Sequence, residues 1–507
     1  MSTDPEHKKR VAGGAGFAFL GRMGALIEGA SVIAFTWLYG PVTFGLFAVL
    51  WSYVKVMTAI SEAAMTTTLQ RFVPKADKDE ANIVAGHALK LGLLVSSLFA
   101  IAGTIAAPSL TNFINAGEAD AERLTTVIRI YVWVLPFWTT VEIGTAAIRA
   151  RRTFGPEIKV RIFYEQGLRL VSAVIFAMTG LLTYGLFLAH LVSVFLAAVL
   201  ALRLVAKNYD MGAVLRAPMF GPLAKEMRSY GFSLMPANLI KRLFAEFPVM
   251  YLNFLLPGAA GAAAGGYYQV ARKVASAVQA IRLTFEYVIA PLAAEKEGTG
   301  DRQALEDMFA YATRLSVSIA LPFGAALILA RNDILATMQP EFAAATAAIA
   351  ILVAGRIFEA ATGPSSAIIE MLGHKLLPTV NSIAGLLGML GIGLWLIPEY
   401  KVTGAAIAAA SGLNITAILS LIQSRILFGL FPYTSAAIRP ILTSALLAGG
   451  IMALVPSSFS WAPPIGITAS AAVLITAVLL VIRYGLNDAD AEALGKFAVK
   501  IRPKPKS

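Results

Sequence analysis

The sequence predicts an all-α protein that crosses a membrane many times, and three observations lead to this prediction. Hydrophobic side chains make up 57% of the 507 residues, whereas only 14% are charged. Soluble proteins carry about 25% charged residues. The apolar residues also cluster in runs of about 20, the length that an α-helix needs to cross the hydrocarbon core of a bilayer.

About fourteen apolar runs, separated by Pro, Gly and charged residues, are expected to be transmembrane helices. Their approximate ranges are 12–38, 43–70, 82–107, 122–148, 160–182, 184–205, 229–256, 264–291, 313–332, 342–370, 376–397, 402–426, 437–455 and 464–484. The connections are mostly short, so no separate soluble domain is expected.

The positive charges predict the orientation in the membrane. Clusters such as Lys8–Arg10, Arg149–Arg152 and the Lys/Arg-rich C-terminus fall on one side, while the opposite loops hold only Arg123, Arg331 and Lys401. Because basic loops stay in the cytoplasm, both termini are predicted to be cytoplasmic and the number of spans to be even. Topology thus explains the net charge of +12 better than nucleic-acid binding does. The apolar run after the basic N-terminus is interpreted as an uncleaved signal-anchor.

No enzymatic site is expected from the residue pattern. The sequence has no cysteine, its four histidines are scattered without metal-ligand spacing, and it contains no Walker-type phosphate loop. We therefore expect neither a metal nor a cofactor; sodium, protons or the membrane potential are the candidate energy sources if the chain moves a substrate.

A polar stripe on the predicted eighth span is the first candidate functional feature. Gln269, Arg272, Ser276, Gln279 and Arg282 are spaced by three and four residues, which places them on one helix face together with Glu286. A charge at mid-membrane costs about 3 kcal/mol, so this face is expected to look into a polar interior rather than lipid.

Several cations lie about 8 to 12 residues into their spans, which places them near the membrane middle. They predict an anion-binding cationic cavity, and the alternative is pairing across helices with Glu28, Glu62 or Glu246. These cations are Arg22, Lys55, Lys241, Arg242, Arg272 and Lys273.

Polar and aromatic neighbours of these cations are expected to line the same cavity. On the second span Trp51, Lys55, Thr58 and Glu62 share a face. Two roles are open for the acidic residues of these spans: they could bind a coupling ion, or they could act as counter-ions for the cations. These residues are Glu28, Glu62 and Glu246. Pro236 and Pro248 predict a hinge in the seventh span, because proline frees a helix carbonyl. The secondary lining residues are Trp51, Thr58, Tyr267, Tyr268, Gln269, Ser276, Gln279 and Arg282.

Other intramembrane charges have acidic neighbours one turn away and are interpreted as structural. Arg161, Glu165 and Arg169 form an i, i+4 ladder, and Arg356 and Glu359 are spaced i, i+3. Arg282 could also pair with Glu286 within its own helix.

A weak internal repeat relates spans one and two to spans seven and eight. GFAFLGRMGALIEG, a break at YGPVTFG and VLWSYVKVMTAI parallel GFSLMPANLIKRLFAEF, a break at LPGAAGAAAGG and YYQVARKVASAVQAI. The repeat predicts two pseudo-symmetric six-helix lobes around a central cavity. We expect an N-lobe at 1–206, a cytoplasmic linker at 207–228, a C-lobe at 229–428, two further helices within 429–485 and a basic cytoplasmic tail at 486–507.

The chain resembles the polysaccharide flippases of the multidrug/oligosaccharidyl-lipid/polysaccharide exporter superfamily. The resemblance rests on the basic N-terminus, the hairpin LYGPVTFGLFAVLWSYVKV and fourteen spans in two similar lobes, and Tyr39 is a small departure from the usual Leu before Gly-Pro. It implies a bacterial cytoplasmic (inner) membrane protein that moves undecaprenyl-pyrophosphate-linked oligosaccharide between leaflets, with polymerase and chain-length proteins as further partners. Alternatives are a lipid II flippase, a drug/cation antiporter, a membrane-embedded biosynthetic enzyme and a scaffold of a glycan assembly complex.

Overall fold

The computed structural model describes residues 5–151, 153, 155–299, 302–372, 376–454, 463–487 and 490, with side chains described from residue 27 onward except at 182, 285–299 and 371. The side chains of Arg22 and Glu286 and most of the predicted tail at 486–507 therefore lie outside the described residues. The described residues form helices and no strand, which confirms the all-α prediction.

Within the described ranges, nine helices are long and apolar enough to cross a membrane. Two of them, Ile27–Ser61 and Leu376–Phe428, contain a non-helical residue, Gly40 and Lys401 respectively, where two spans were predicted. The described parts of predicted spans five, seven and eight are also helical but are not among these nine helices. The chain is a multi-pass membrane protein, and the number fourteen stays a prediction.

The chain divides into two compact units, Met1–Gly266 and Tyr267–Ser507. A two-lobed plan was predicted, but the division falls inside a helix rather than at the predicted linker 207–228. The predicted lobe boundaries stay a prediction.

The first unit contains long helices that pack pairwise, joined by short helical pieces. Helix α6 packs against α3 and α9, α8 packs against α9, and α1 packs against α11. The helices are α1 Pro5–Ser61, α2 Met65–Phe72, α3 Lys78–Leu110, α4 Glu118–Ala121, α5 Leu124–Tyr131, α6 Val134–Ala150, α7 Gly155–Ile158, α8 Glu165–Met178, α9 Leu182–Asn208, α10 Met211–Arg216, α11 Pro222–Leu255 and the start of α12 Gly258–Thr299.

The second unit contains the rest of α12 and six further helices. Helix α13 packs against α14, α17 and α18, while α16 packs against α14 and α15. The helices are α13 Arg302–Leu335, α14 Thr346–Ala361, α15 Ser365–Met371, α16 Leu376–Phe428, α17 Ile438–Leu454 and α18 Pro463–Leu480.

The predicted break after the first span is confirmed at Gly40. Its φ of 77° lies in the left-handed region, which glycine adopts without steric penalty. Pro41 follows and restarts the helix, since its fixed φ suits the first helical position. The Gly-Pro pair thus ends one helical stretch of α1 and begins the next.

The predicted break at LPGAAGAAAGG is too long. Helix α11 ends at Leu255 and helix α12 already begins at Gly258. The small residues allow close packing instead: a Cβ built on Gly45 of α1 would overlap the Ala262 carbonyl, and Gly266 faces Gly45 in the same way. Small residues are typical where membrane helices approach closely.

The second half of α1 ends earlier than predicted. Ala63 and Ala64 have positive φ angles of 46° and 54°, and the short helix α2 restarts at Met65. Gly231 of α11 lies against this break, since a Cβ there would overlap the Ala63 carbonyl. Between α7 and α8, the segment Lys159–Tyr164 is π-helical, which the sequence pattern did not indicate.

Candidate functional site

A buried ion pair joins two helices of the first unit. The Lys55 ammonium of α1 contacts the Glu246 carboxylate of α11, and their side chains are 12% and 5% exposed. The Ser52 hydroxyl, on the same face as Lys55, donates to Glu246 Oε2 at 3.0 Å. This is one of the cross-helix pairings that the sequence left open. The contacts of Lys55 and Ser52 with this carboxylate offset part of the free energy that it costs to remove the charges of Lys55 and Glu246 from water.

An aromatic cluster adjoins this ion pair. Lys55 Nζ lies 5.6 Å from the ring centroid of Trp51. Trp51 meets Trp138 of α6 and His190 of α9 edge to face, with centroids 5.1 and 4.5 Å apart. The imidazole Nδ1 of His190 is hydrogen-bonded to the Tyr131 hydroxyl at 2.7 Å. Trp51 thus contacts both Lys55 and His190, the partner of Tyr131.

Two arginines lie next along the chain, Arg161 in the π-helical segment before α8 and Arg169 in α8. Arg169 Nη1 lies 3.3 Å from Glu165 Oε1, as the i, i+4 spacing predicted. Arg161 pairs instead with Glu142 at 2.8 Å and with Glu157 at 3.3 Å, so the three-residue ladder is incomplete. The π-helical segment that contains Arg161 changes the helical spacing there, which a 3.6-residue period could not anticipate.

The other predicted residues of the first unit have varied surroundings. Thr58 is buried and donates to the Val54 carbonyl at 2.8 Å. Glu62 is buried where the second half of α1 ends. Helix α11 continues through Pro236 and Pro248, so the predicted hinge stays a prediction. Of the remaining residues, Glu28 and Arg242 are half-buried and Lys241 is exposed.

In the second unit, two hydrogen bonds of the predicted polar stripe of α12 lie within its own helix. Arg272 Nη2 donates to Gln269 Oε1 at 2.6 Å, and the Ser276 hydroxyl donates to the Lys273 carbonyl at 2.6 Å. Tyr267 packs edge to face on Phe342 at 5.0 Å, and Tyr268 is buried. Gln279 is half-buried.

Glu359 is the centre of a second charge cluster, within the second unit. Its Oε1 lies 3.0 Å from Arg282 Nη2, and its Oε2 lies 2.7 Å from Arg356 Nη1. The i, i+3 pair of Arg356 and Glu359 was predicted, but the bridge to Arg282 was missed. The nearby Glu286 offered Arg282 a partner within its own helix, so the pattern gave no reason to look on another helix.

Among the described residues, Lys55 and Arg282 are predicted site cations that contact a glutamate on another helix. Glu246 holds Lys55 in the first unit, and Arg282 and Arg356 share Glu359 in the second. A joint role for Lys55, Lys241, Arg242, Arg272 and Lys273 in one cationic cavity stays a prediction.

The comparison with solved structures identifies the class of the fold. The chain is similar to "Lipid II flippase MurJ, inward closed conformation", with a TM-score of 0.71, 12% identity and coverage of 91% of this chain and 97% of that one. It is similar to an inward-facing multidrug resistance MATE family transporter of the MOP superfamily, with a TM-score of 0.65, 17% identity and coverage of 80% and 94%. The chain therefore has the two-lobed helical fold of these transporters.

The comparison with family models narrows the class to a family. The model described as "Polysaccharide biosynthesis protein" matches residues 36–339. The chain belongs to this polysaccharide biosynthesis protein family, which confirms the resemblance drawn from the sequence. The comparison with curated proteins gives no match.

Proposed function

We propose that the chain is a flippase that moves undecaprenyl-pyrophosphate-linked oligosaccharide from the cytoplasmic to the periplasmic leaflet by alternating access. It would act in the bacterial inner membrane, with both termini in the cytoplasm, in the biosynthesis of lipopolysaccharide, capsule or exopolysaccharide. The observation that carries this proposal is the family match, and the lysine Lys55, buried inside a helix long and apolar enough to cross a membrane, supports it.

The chemistry of the substrate agrees with the residues. A pyrophosphate is an anion, and cations inside a membrane are costly unless they serve such a group or a counter-ion. In the proposed cycle, the pyrophosphate engages Arg22, Lys55, Lys241, Arg242, Arg272 and Lys273, while the prenyl chain stays in lipid. Rocking of the lobes, with bending at Pro236 and Pro248, then exposes the glycan to the periplasm.

The decisive variant replaces Arg272 and Lys273 together with glutamine. Each charged hydrogen bond contributes about 1.5 to 3 kcal/mol, so the double variant is expected to lose at least about tenfold of surface polysaccharide export at equal protein level. The matched control is Arg203→Gln with Lys207→Gln, two exposed cations at the end of α9. Normal export by the Arg272/Lys273 variant would refute the anion-site role.

A lipid II flippase is the second candidate, and the fold similarity to MurJ favours it. Complementation separates the two. The polysaccharide proposal expects rescue of a strain that lacks its polysaccharide flippase and no rescue of a strain depleted of its lipid II flippase. The opposite pattern would establish the second candidate.

A further inference from the structure

A polar cavity of about 380 Å³ lies inside the first unit. It is bounded by α1, α6 and the stretch from α7 to α8, and its walls include Trp51, Trp138, Arg161, Gln166 and Arg169. Small-molecule sites in proteins have volumes of about 300 to 1,000 Å³, so this cavity can hold one small ligand.

Two indole rings supply the apolar part of the cavity wall. Trp51 and Trp138 meet at 83° with centroids 5.1 Å apart, so one ring presents its face where the other presents its edge. The guanidinium of Arg161 lies 5.4 Å from the Trp138 centroid. An aromatic face beside a planar hydrogen-bond donor suits a ligand that has both C–H and O–H surfaces.

The charges of the cavity compensate one another. Arg161 is held by Glu142 and Glu157, and Arg169 by Glu165. Glu28, the third carboxylate of the cavity wall beside Glu157 and Glu165, also has an interaction partner. A phosphate would therefore meet arginines that already have carboxylate partners, and an organic cation would meet carboxylates that already have partners of their own. The arrangement favours a neutral, polar ligand.

Two buried atoms of the cavity residues have no hydrogen-bond partner among the described residues. They are Oε1 of Gln166, an acceptor, and Nε of Arg169, a donor. Buried polar atoms are normally satisfied. These two groups lie one turn apart on α8 and would gain partners if their side chains turned toward a ligand that can both donate and accept. Neighbouring hydroxyls of a sugar ring do both.

The helix that carries these residues is irregular at the cavity. The π-helical segment Lys159–Tyr164 includes Arg161 and leads directly into α8, which carries Gln166 and Arg169. Single π-helical turns occur frequently at functional sites. By contrast, a larger cavity of about 740 Å³ between α1, α3, α5 and α11 is lined almost wholly by apolar side chains and offers a polyol few partners.

We propose that the cavity beside Trp51, Trp138, Gln166 and Arg169 binds one neutral sugar ring. That the ring belongs to the glycan of the transported lipid rests on the proposed function. The site would hold part of the glycan while the pyrophosphate engages the cationic residues, of which Lys55 lies beside Trp51, and would thereby select substrates by sugar identity.

The test measures intrinsic tryptophan fluorescence of the purified full-length protein in detergent. The probes are the free oligosaccharide released by mild acid from the cell's own lipid-linked pool, inorganic pyrophosphate and tetraphenylphosphonium. We expect a saturable response to the oligosaccharide at about millimolar concentration. Pyrophosphate and tetraphenylphosphonium, added before the sugar, should leave the apparent Kd for the oligosaccharide unchanged.

The key variant is Gln166→Leu, which removes the open acceptor at similar size. Because the buried Oε1 of Gln166 has no partner among the described residues, its desolvation costs folding free energy, so the melting temperature of the variant should be unchanged or higher. The apparent Kd for the oligosaccharide should rise about fivefold or more. Trp395→Phe, at a side chain that is 85% exposed in the second unit, and Arg203→Gln serve as controls that keep the response.

Each outcome decides the question. No response of the wild-type protein to the oligosaccharide, an unchanged affinity in Gln166→Leu, or competition by tetraphenylphosphonium would overturn the sugar site. Oligosaccharide binding that persists while the Arg272/Lys273 variant exports normally would leave the sugar site standing and refute the anion role instead.

Discussion

At the residue scale, Lys55 is both a predicted substrate ligand and the observed partner of Glu246. Experiments can distinguish these two roles. Removing one member of a buried ion pair leaves the other charge uncompensated, whereas replacing both by apolar residues of similar size is often neutral for stability. Measurements of stability therefore test the ion pair itself, whereas measurements of export test whether Lys55 binds substrate.

We expect Glu246→Ala to destabilise the protein by about 3 to 5 kcal/mol, because Lys55 and Ser52 lose their shared acceptor. The double variant Lys55→Met/Glu246→Leu should melt close to the wild-type temperature in detergent but lose export. Normal export by the double variant would assign Lys55 a purely structural role.

Glu359 gives a second prediction at this scale. Glu359→Gln leaves Arg282 and Arg356 without their shared carboxylate, whereas Arg356→Gln still leaves Glu359 paired with Arg282. The first variant should therefore lower the melting temperature more than the second, and each is compared with Arg203→Gln as an exposed control. Equal shifts would show that Arg282 does not depend on Glu359.

At the scale of elements, the contact between α1 and the start of α12 depends on glycine. The sequence predicted a loop for the Gly- and Ala-rich stretch, since its composition is equally typical of a turn. In the structure the same small residues form a helix whose backbone nearly touches Gly45. Composition alone could not distinguish a loop from a closely packed helix, because the outcome depends on which helix packs against this stretch.

Gly45→Ala tests this contact. The new Cβ would overlap the backbone carbonyl of Ala262, which cannot move like a side chain, so we expect a loss of about 1 to 3 kcal/mol or more. Gly391→Ala is the matched control: that helical glycine of α16 has open space around it, and alanine should be neutral or stabilising by up to about 1 kcal/mol. Similar melting temperatures for both variants would contradict the close packing.

At the scale of the whole molecule, membrane topology depends on the distribution of basic residues rather than on any single contact. Loops rich in Lys and Arg alternate with loops that hold almost none, which predicts cytoplasmic termini. We expect a fluorescent protein fused after Ser507 to be bright and alkaline phosphatase fused there to be inactive. Phosphatase fused after Ala116, in the loop before α4, should be active. An active phosphatase at the C-terminus would reverse the assignment.

The sequence by itself determined the all-α membrane class of the fold and the break at Gly40–Pro41. Hydrophobic runs and Gly-Pro pairs indicate these features because they depend on residues that are close together in the chain. The sequence also indicated the pairs Arg169–Glu165 and Arg356–Glu359, which lie one turn apart on the same helix. Only the tertiary structure decided that Glu246 holds Lys55, that Glu359 also holds Arg282 and that Arg161 and Arg169 border a cavity with two tryptophans. Those partners lie on different helices, and the spacing along one chain carries no information about which faces of distant helices meet.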